Sequence, residues 1–149
     1  MKIITLLLTL LSTSVFSQSY SGPESAEYDY ANSRWLIANT SSHQVLARNS
    51  SGVLSVFVTG LVYGPYGIEI VDDVLYCCSG ASIKGYNLAD GTNVFNLNIG
   101  ASFLNGLTHD NSGNLYATDF SAKKIFKINI ATQTFSAIAT SLVQSPNGI

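Results

Sequence analysis

Short runs of aliphatic and aromatic residues alternate with polar turns along most of the chain. No segment keeps a helical apolar period, so the pattern predicts strands and argues against helices. Gly, Asn, Asp and Ser occupy the interruptions, as they do in the turns between strands. The predicted strands are Ala26–Asp29, Trp35–Ala38, Gln44–Arg48, Val53–Val58, Ile68–Val71, Val74–Cys78, Ser82–Asn87, Thr92–Leu97, Leu107–Asp110, Leu115–Thr118, Lys124–Ile130 and Thr134–Ala139.

These strands fall into groups of four that share the same internal order. The groups begin at Pro23, Pro65 and Leu104, and the chain closes with an incomplete fourth start at Pro146. Four short strands in each repeat of about forty residues are typical of the blades of a β-propeller. A β-sandwich also contains short strands, but the recurring internal order favours the propeller.

The predicted fold is therefore all-β, a β-propeller of four-stranded blades with about three blades within residues 18–149. A single blade cannot bury both faces of its sheet, so each blade must pack against its neighbours. Three blades cannot close a ring, and they leave sheet faces and strand edges exposed. We therefore expect a partial propeller, roughly half of a complete one.

The N-terminal residues 1–17 predict a signal peptide. Lys2 supplies a positive charge, the run from Ile3 to Leu11 is apolar, and small residues favour cleavage after Ser17. The apolar run is shorter than the roughly 20 residues of a membrane span, and no nearby cysteine supports a lipid anchor. A buried N-terminal strand is the alternative. The signal peptide predicts a secreted or periplasmic protein with no membrane anchor.

Composition narrows the partners of this protein. Charged residues make up only 11% of the chain, and the formal net charge is −2. A nucleic-acid-binding face needs clustered Lys and Arg to displace counterions, so nucleic acid is excluded as a partner. The sequence also lacks a hydrolase nucleophile elbow, a phosphate-binding P-loop and a zinc-protease helix motif. It therefore indicates no catalytic residue by motif.

Cys77 and Cys78 are the only cysteines. Adjacent residues on a strand point to opposite faces, so a disulfide between these two would require a distorted peptide. We expect one cysteine to be buried and the other to face the next layer. A redox or metal role would require another spacing or more ligands.

Polar residues occupy equivalent places at three of the blade starts. The first strand of each blade lines the central channel of a propeller, so equivalent positions converge near one axis. Counting back from the Asp that closes the first strand gives Glu24 and Asn105, and Asn147 matches them in the incomplete start, whereas the second start offers Tyr66. One carboxylate and two amide oxygens suit Ca²⁺. The alternative is that the Asn-Gly pairs supply only turn geometry.

The segments PESAEYD, LNGLTHD and PNGI resemble the blade starts of the gluconolactonase, senescence-marker protein and luciferin-regenerating enzyme-like family. This resemblance, which spans Pro23 to Ile149, implies a six-bladed propeller with a central divalent cation and lactone or ester hydrolysis. By motif, Glu24 matches the family's first-blade ligand, Asn105 its middle Asn and Asn147 the Asn of its PNG motif. The segment GNLYATDFSAKKIFKIN also resembles NHL-repeat propellers, which often only bind partners.

The sequence departs from the gluconolactonase-like pattern at several site positions. Tyr28 stands where the family has Trp, and Phe103 and Gly106 stand where it often carries Arg and Asp. Loss of that Arg removes the cation expected to hold a sugar-acid lactone. The resemblance also implies a fourth ligand, an Asp with a catalytic role, from a later blade beyond Ile149.

Two classes of function are predicted. The first is an exported, calcium-dependent, lactonase-like propeller that takes a small neutral or lactone-type ligand and whose site is incomplete in this chain. The second is a non-catalytic, NHL-like binding module in which Asn105 and Asn147 only shape turns. A truncated product without independent function is a third interpretation. The sequence indicates neither catalytic residues nor an oligomeric state.

Overall fold

The computed structural model describes residues 18–138 and 142–149, so the predicted signal peptide, residues 1–17, lies outside the described residues. Within the described part, the chain forms twelve strands and one short 3₁₀ turn, Thr40–Ser42. The strands are β1 (Pro23–Asp29), β2 (Arg34–Asn39), β3 (Gln44–Asn49), β4 (Leu54–Val58), β5 (Ile68–Val71), β6 (Val74–Ser79), β7 (Ser82–Asn87), β8 (Asn93–Asn98), β9 (Leu104–His109), β10 (Asn114–Asp119), β11 (Lys124–Asn129) and β12 (Thr134–Ile138). No helix in these ranges is long and apolar enough to cross a membrane.

The strands form three antiparallel, four-stranded sheets, each made of consecutive strands. We call these sheets the first blade (β1–β4), the second blade (β5–β8) and the third blade (β9–β12). Within each blade, every strand pairs with the strand before it and the strand after it, as the strands of a propeller blade do. The prediction of an all-β fold with about three four-stranded blades is therefore confirmed.

Two of the first strands begin earlier than predicted. β1 begins at Pro23 instead of Ala26, and β9 begins at Leu104 instead of Leu107. The register of β1 against β2 shifts between Pro23 and Ala26, and the pairing of β9 with β10 shifts in a similar way. Irregular pairing of this kind lets polar and Gly residues join a strand without the alternation that a sequence pattern can detect.

Two apolar layers hold the blades together, one on each face of the second blade. The first layer includes Leu36, Ala38, Val45, Ile68, Leu75, Cys77 and Leu88. The second layer includes Tyr76, Cys78, Ile83, Leu107, Leu115, Ala117 and Phe126. Successive residues of β6 alternate between these two layers, as the side chains of a strand must. This strand is buried on both faces, which explains its uninterrupted apolar run.

Both cysteines are buried and free, and they lie in different apolar layers. This arrangement confirms that the two side chains point to opposite faces of the strand. Burial raises the pKa of the Cys77 thiol to about 12, and burial likewise raises the pKa of Cys78 above its usual value. Both residues therefore serve as apolar packing groups, because a nucleophilic cysteine requires a thiolate.

The first strands of the three blades lie side by side, with β5 in contact with both β1 and β9. The Gly67 N–H donates to the Asn105 carbonyl oxygen at 2.6 Å. The Ser25 hydroxyl donates to the Tyr66 carbonyl oxygen and accepts the Ile68 N–H at 3.1 Å. These bonds join neighbouring blades at their starts, and so they fix the positions of the residues predicted to form a site.

Candidate functional site

A cleft of about 380 Å³ opens where the blade starts meet. Glu24, Asn105 and Asn147 all line this cleft, together with Tyr66. The structure therefore brings together residues that are about forty positions apart in the chain, as equivalent places in repeated blades should be. Glu24 and Asn147 are exposed and Asn105 is half-buried, so the cleft is open to solvent. The role of the three residues as metal ligands stays a prediction.

Oxygen donors dominate the side chains around the cleft. Glu27, Glu69, Ser25 and Thr108 contribute to the lining, and no described residue that lines it is a lysine or arginine. No three His, Cys, Asp or Glu side chains within residues 18–138 and 142–149 are gathered so as to hold a metal ion. A cation in this cleft would therefore need the amide oxygens of asparagine side chains, and Ca²⁺ accepts such ligands.

The Asn105–Gly106 pair does not form a turn. Both residues lie within β9, and neither adopts the left-handed conformation. The need for a positive φ therefore does not explain this pair. Gly148, in the predicted fourth start, does have a φ of +105°, so turn geometry remains an explanation for its Asn-Gly pair.

Glycines permit the close approach of backbones around the cleft. A Cβ added to Gly67 would lie 2.5 Å from the Asn105 carbonyl oxygen and 2.7 Å from the Leu107 nitrogen. A Cβ added to Gly106 would lie 2.7 Å from the Gly148 Cα. The clashing atoms belong to the backbone and cannot turn away as the end of a side chain can. The glycines of the blade starts therefore set the spacing between neighbouring starts.

The sequence argument missed a group of titratable residues at one end of the cleft. The His109 Nδ1 lies 2.6 Å from the Glu69 Oε1. Burial raises the pKa of Glu27, the negative charge of Glu69 raises it further, and His109 lowers it. The repeat register that aligned the predicted ligands also aligns Glu27 with Glu69, so the sequence held a signal for the proximity of these two residues but not for that of His109.

We expect Glu27→Gln to stabilise the protein at neutral pH. The folded-state pKa of Glu27 lies above the ordinary value of 4.5, so the folded protein binds this proton more tightly than the unfolded chain. Stability therefore falls as pH rises from 4.5 through the folded-state pKa. Near neutral pH, urea unfolding should show a higher midpoint for the variant than for the wild type. Below pH 4.5 the two midpoints should be the same.

Asp73→Asn is the matched control, because it removes the same charge from an exposed turn. At neutral pH, the urea midpoint of this control should not rise by a comparable amount. An equal gain in both variants would mean that net charge, and not the burial of Glu27 beside Glu69, is responsible.

A buried polar residue ends the second strand of every blade. Asn39, Ser79 and Asp119 occupy this position, and each is nearly inaccessible to solvent. Asn39 accepts the Ser21 N–H at 2.6 Å, and Ser79 donates to the Val62 carbonyl oxygen at 3.0 Å. Each residue therefore holds the loop that leads into the first strand of its own blade. Their regular spacing of about forty residues is a repeat signal that the strand pattern alone did not reveal.

Asp119 makes the most extensive contacts of the three. Its carboxylate accepts the N–H groups of Ser102 at 2.6 Å, Ala122 at 2.8 Å and Phe103 at 3.1 Å. A carboxylate that accepts several backbone N–H groups forms strong, charge-assisted hydrogen bonds. The loop before β9, and with it the position of Asn105, is therefore firmly held.

Comparison with solved structures identifies the fold class. The chain is similar to a chain in the crystal structure of a nidogen/laminin complex, with a TM-score of 0.76 and 12% sequence identity, over 87% of this chain and 51% of that one. It is also similar to hydrazine synthase of Kuenenia stuttgartiensis, with a TM-score of 0.72 and 16% identity, over 94% of this chain and 41% of that one. Both are β-propeller proteins, so the propeller class is confirmed.

The chain spans about half the length of these structures or less. At such low sequence identity, the similarity shows the fold and no more. The chain matches no known protein-family profile, and no curated protein is significantly similar to it. The gluconolactonase-like family therefore stays a prediction from the blade-start motifs.

Proposed function

We propose that this chain forms part of an exported β-propeller whose cleft at the blade starts binds Ca²⁺ and a small neutral or lactone-type ligand. The observation that carries the proposal is the meeting of Glu24, Asn105 and Asn147 in one cleft. Residues 1–17, with their charged and apolar pattern, support export.

The chemistry of the cleft supports calcium over other cations. The predicted ligands supply one carboxylate and two amide oxygens, and Ca²⁺ accepts such hard ligands in flexible geometry with water completing its shell. Zinc and copper sites draw mainly on His and Cys, whereas the cysteines of this chain are buried in apolar layers. Since Asn105 lies within β9 and does not adopt a left-handed conformation, its side chain is available for a role other than stabilising a turn.

A calcium ion in this cleft would supply Lewis-acid polarisation of an ester or lactone carbonyl. The residues of the chain itself provide the surroundings. Glu27 lines the cleft, and its raised pKa favours the holding of a proton there, while Glu69 and His109 pair with each other beside it. The absence of lysine and arginine among the described lining residues favours an uncharged ligand over an acidic one. For this chain we propose the binding of Ca²⁺ and the ligand. Hydrolysis of the ligand is proposed only for a complete propeller ring.

Calorimetric titration of the mature chain with Ca²⁺ tests the proposal. The wild type should bind one ion, and Glu24→Gln and Asn105→Leu should each weaken binding at least tenfold, about 1.4 kcal/mol. Asp90→Asn and Asn98→Leu are the matched controls, because both residues are exposed on the second blade outside the cleft. Equal binding by all five proteins would overturn the proposal.

A non-catalytic binding propeller is the second candidate. An exposed aromatic group on the first blade favours it, because aromatic side chains are enriched at protein interfaces. Tyr28 packs edge-to-face against Tyr30 and Trp35, with ring centroids 4.8 and 5.1 Å apart, and Trp35 is 44% exposed. This candidate predicts a melting temperature that neither Ca²⁺ nor a chelator changes.

A further inference from the structure

A second pocket, of about 350 Å³, lies beside the cleft at the blade starts. Tyr63, Tyr66 and Phe103 form its aromatic walls, and Ala81 and Ala101 contribute small apolar surfaces. None of the described residues that line it carries a charge. An apolar cavity of about 150 Å³ is large enough to bind benzene, so this pocket has room for a substituted ring. We refer to it as the aromatic pocket.

Hydrogen bonds to the backbone hold both walls of the aromatic pocket. On one side, the Tyr63 carbonyl oxygen accepts the Gly80 N–H at 2.8 Å. On the other side, the Phe103 carbonyl oxygen accepts the Phe120 N–H at 2.9 Å, and the buried Asp119 accepts the Phe103 N–H. The pocket is therefore largely formed before any ligand arrives, which lowers the entropic cost of binding.

The rings of the aromatic pocket are arranged edge-to-face. The centroids of Tyr66 and Phe103 are 4.9 Å apart with an interplanar angle of 87°, and Phe103 meets Phe120 in a similar way at 6.0 Å. Such pairs leave ring faces and edges available to another aromatic ring. The Tyr63 side chain is 71% exposed, so its ring is accessible to a ligand in the pocket.

The aromatic pocket and the cleft at the blade starts share Tyr66, which lines both. Phe103 in the pocket is also separated from Asn105 in the cleft by a single residue. A ligand with its oxygens in the cleft can therefore extend an apolar group into the pocket. We propose that the aromatic pocket binds an uncharged aromatic ring of the ligand whose carbonyl group lies in the cleft. This inference rests on the proposed function.

Two lactones distinguish this inference from simple lactone binding. Dihydrocoumarin carries a fused aromatic ring, and δ-valerolactone has the same lactone ring without it. In amide NMR spectra of the ¹⁵N-labelled mature chain, dihydrocoumarin should shift the signals of Gly80, Ala81 and Ser102, and δ-valerolactone should leave them unchanged. Phe103→Ala and Tyr63→Asn should each weaken dihydrocoumarin binding at least fivefold.

Tyr63→Asn keeps the fold testable, because the side chain is exposed and Asn tolerates the local φ of +56°. Tyr30→Asn and Phe135→Ala, at exposed aromatic residues outside the pocket, are the matched controls and should bind as the wild type does. Equal signal shifts with both lactones, or equal dihydrocoumarin binding by all variants, would overturn the inference that the aromatic pocket binds the ring of the ligand. Dihydrocoumarin binding without calcium binding would support the pocket and overturn the proposed function.

Discussion

Gly67→Ala should lower the free energy of unfolding by about 3 kcal/mol or more. The new Cβ would stand 2.5 Å from the Asn105 carbonyl oxygen and 2.7 Å from the Leu107 nitrogen, both of them backbone atoms of β9. Relief would require β5 and β9 to separate, which would also stretch the hydrogen bond from the Gly67 N–H to Asn105. Urea unfolding followed by circular dichroism measures this loss.

Gly113→Ala is the matched control for this prediction. Gly113 has a φ of +78°, and no atom lies within 4 Å of its added Cβ. Its substitution should cost only the roughly 1–2 kcal/mol of a left-handed backbone. If Gly67→Ala destabilises no more than this control, the first strands are not packed as closely as the structure describes.

Leu75→Ala should lower the free energy of unfolding by about 2–5 kcal/mol. The side chain is fully buried in the layer between the first and second blades. Its truncation removes apolar contacts with both blades and leaves a cavity that a close-packed interior fills only in part. The urea midpoint should fall, and the slope of the transition should be retained.

Leu142→Ala provides the same substitution at a side chain that is 88% exposed. Its effect should stay within about 0.5 kcal/mol. A comparable loss in both variants would contradict the burial of Leu75 between the blades. Wild-type stability in Leu75→Ala would show that the two blades do not share an apolar layer.

β6 illustrates why so much of the fold could be predicted. Its apolar run VLYCC lies between polar turns, and a strand buried on both faces is the structure that suits it. The start of β1 could not be predicted in the same way. Pro23, Glu24 and Ser25 carry no alternating apolar pattern, and Pro23 belongs to the strand only because it pairs with Asn39 across a register shift.

The residues of the candidate site likewise include some that the sequence could predict and some that it could not. Glu24, Asn105 and Asn147 could be found from the sequence, since equivalent positions of repeated blades meet near one axis. The pair formed by Glu69 and His109 could not, because these residues do not occupy equivalent positions in their blades. Their contact depends on the offset between neighbouring blades, which strand patterns do not determine.

The central claim is that a cation binds among the blade starts, and sensitised terbium luminescence tests it most directly. Tb³⁺ occupies calcium sites and emits when an excited tyrosine lies close by. Since Tyr66 lines the cleft with Glu24, excitation of tyrosine should produce emission that Ca²⁺ displaces. This emission should fall sharply in Tyr66→Phe and be unchanged in Tyr30→Phe. Emission that survives in both Tyr66→Phe and Glu24→Gln would contradict the account.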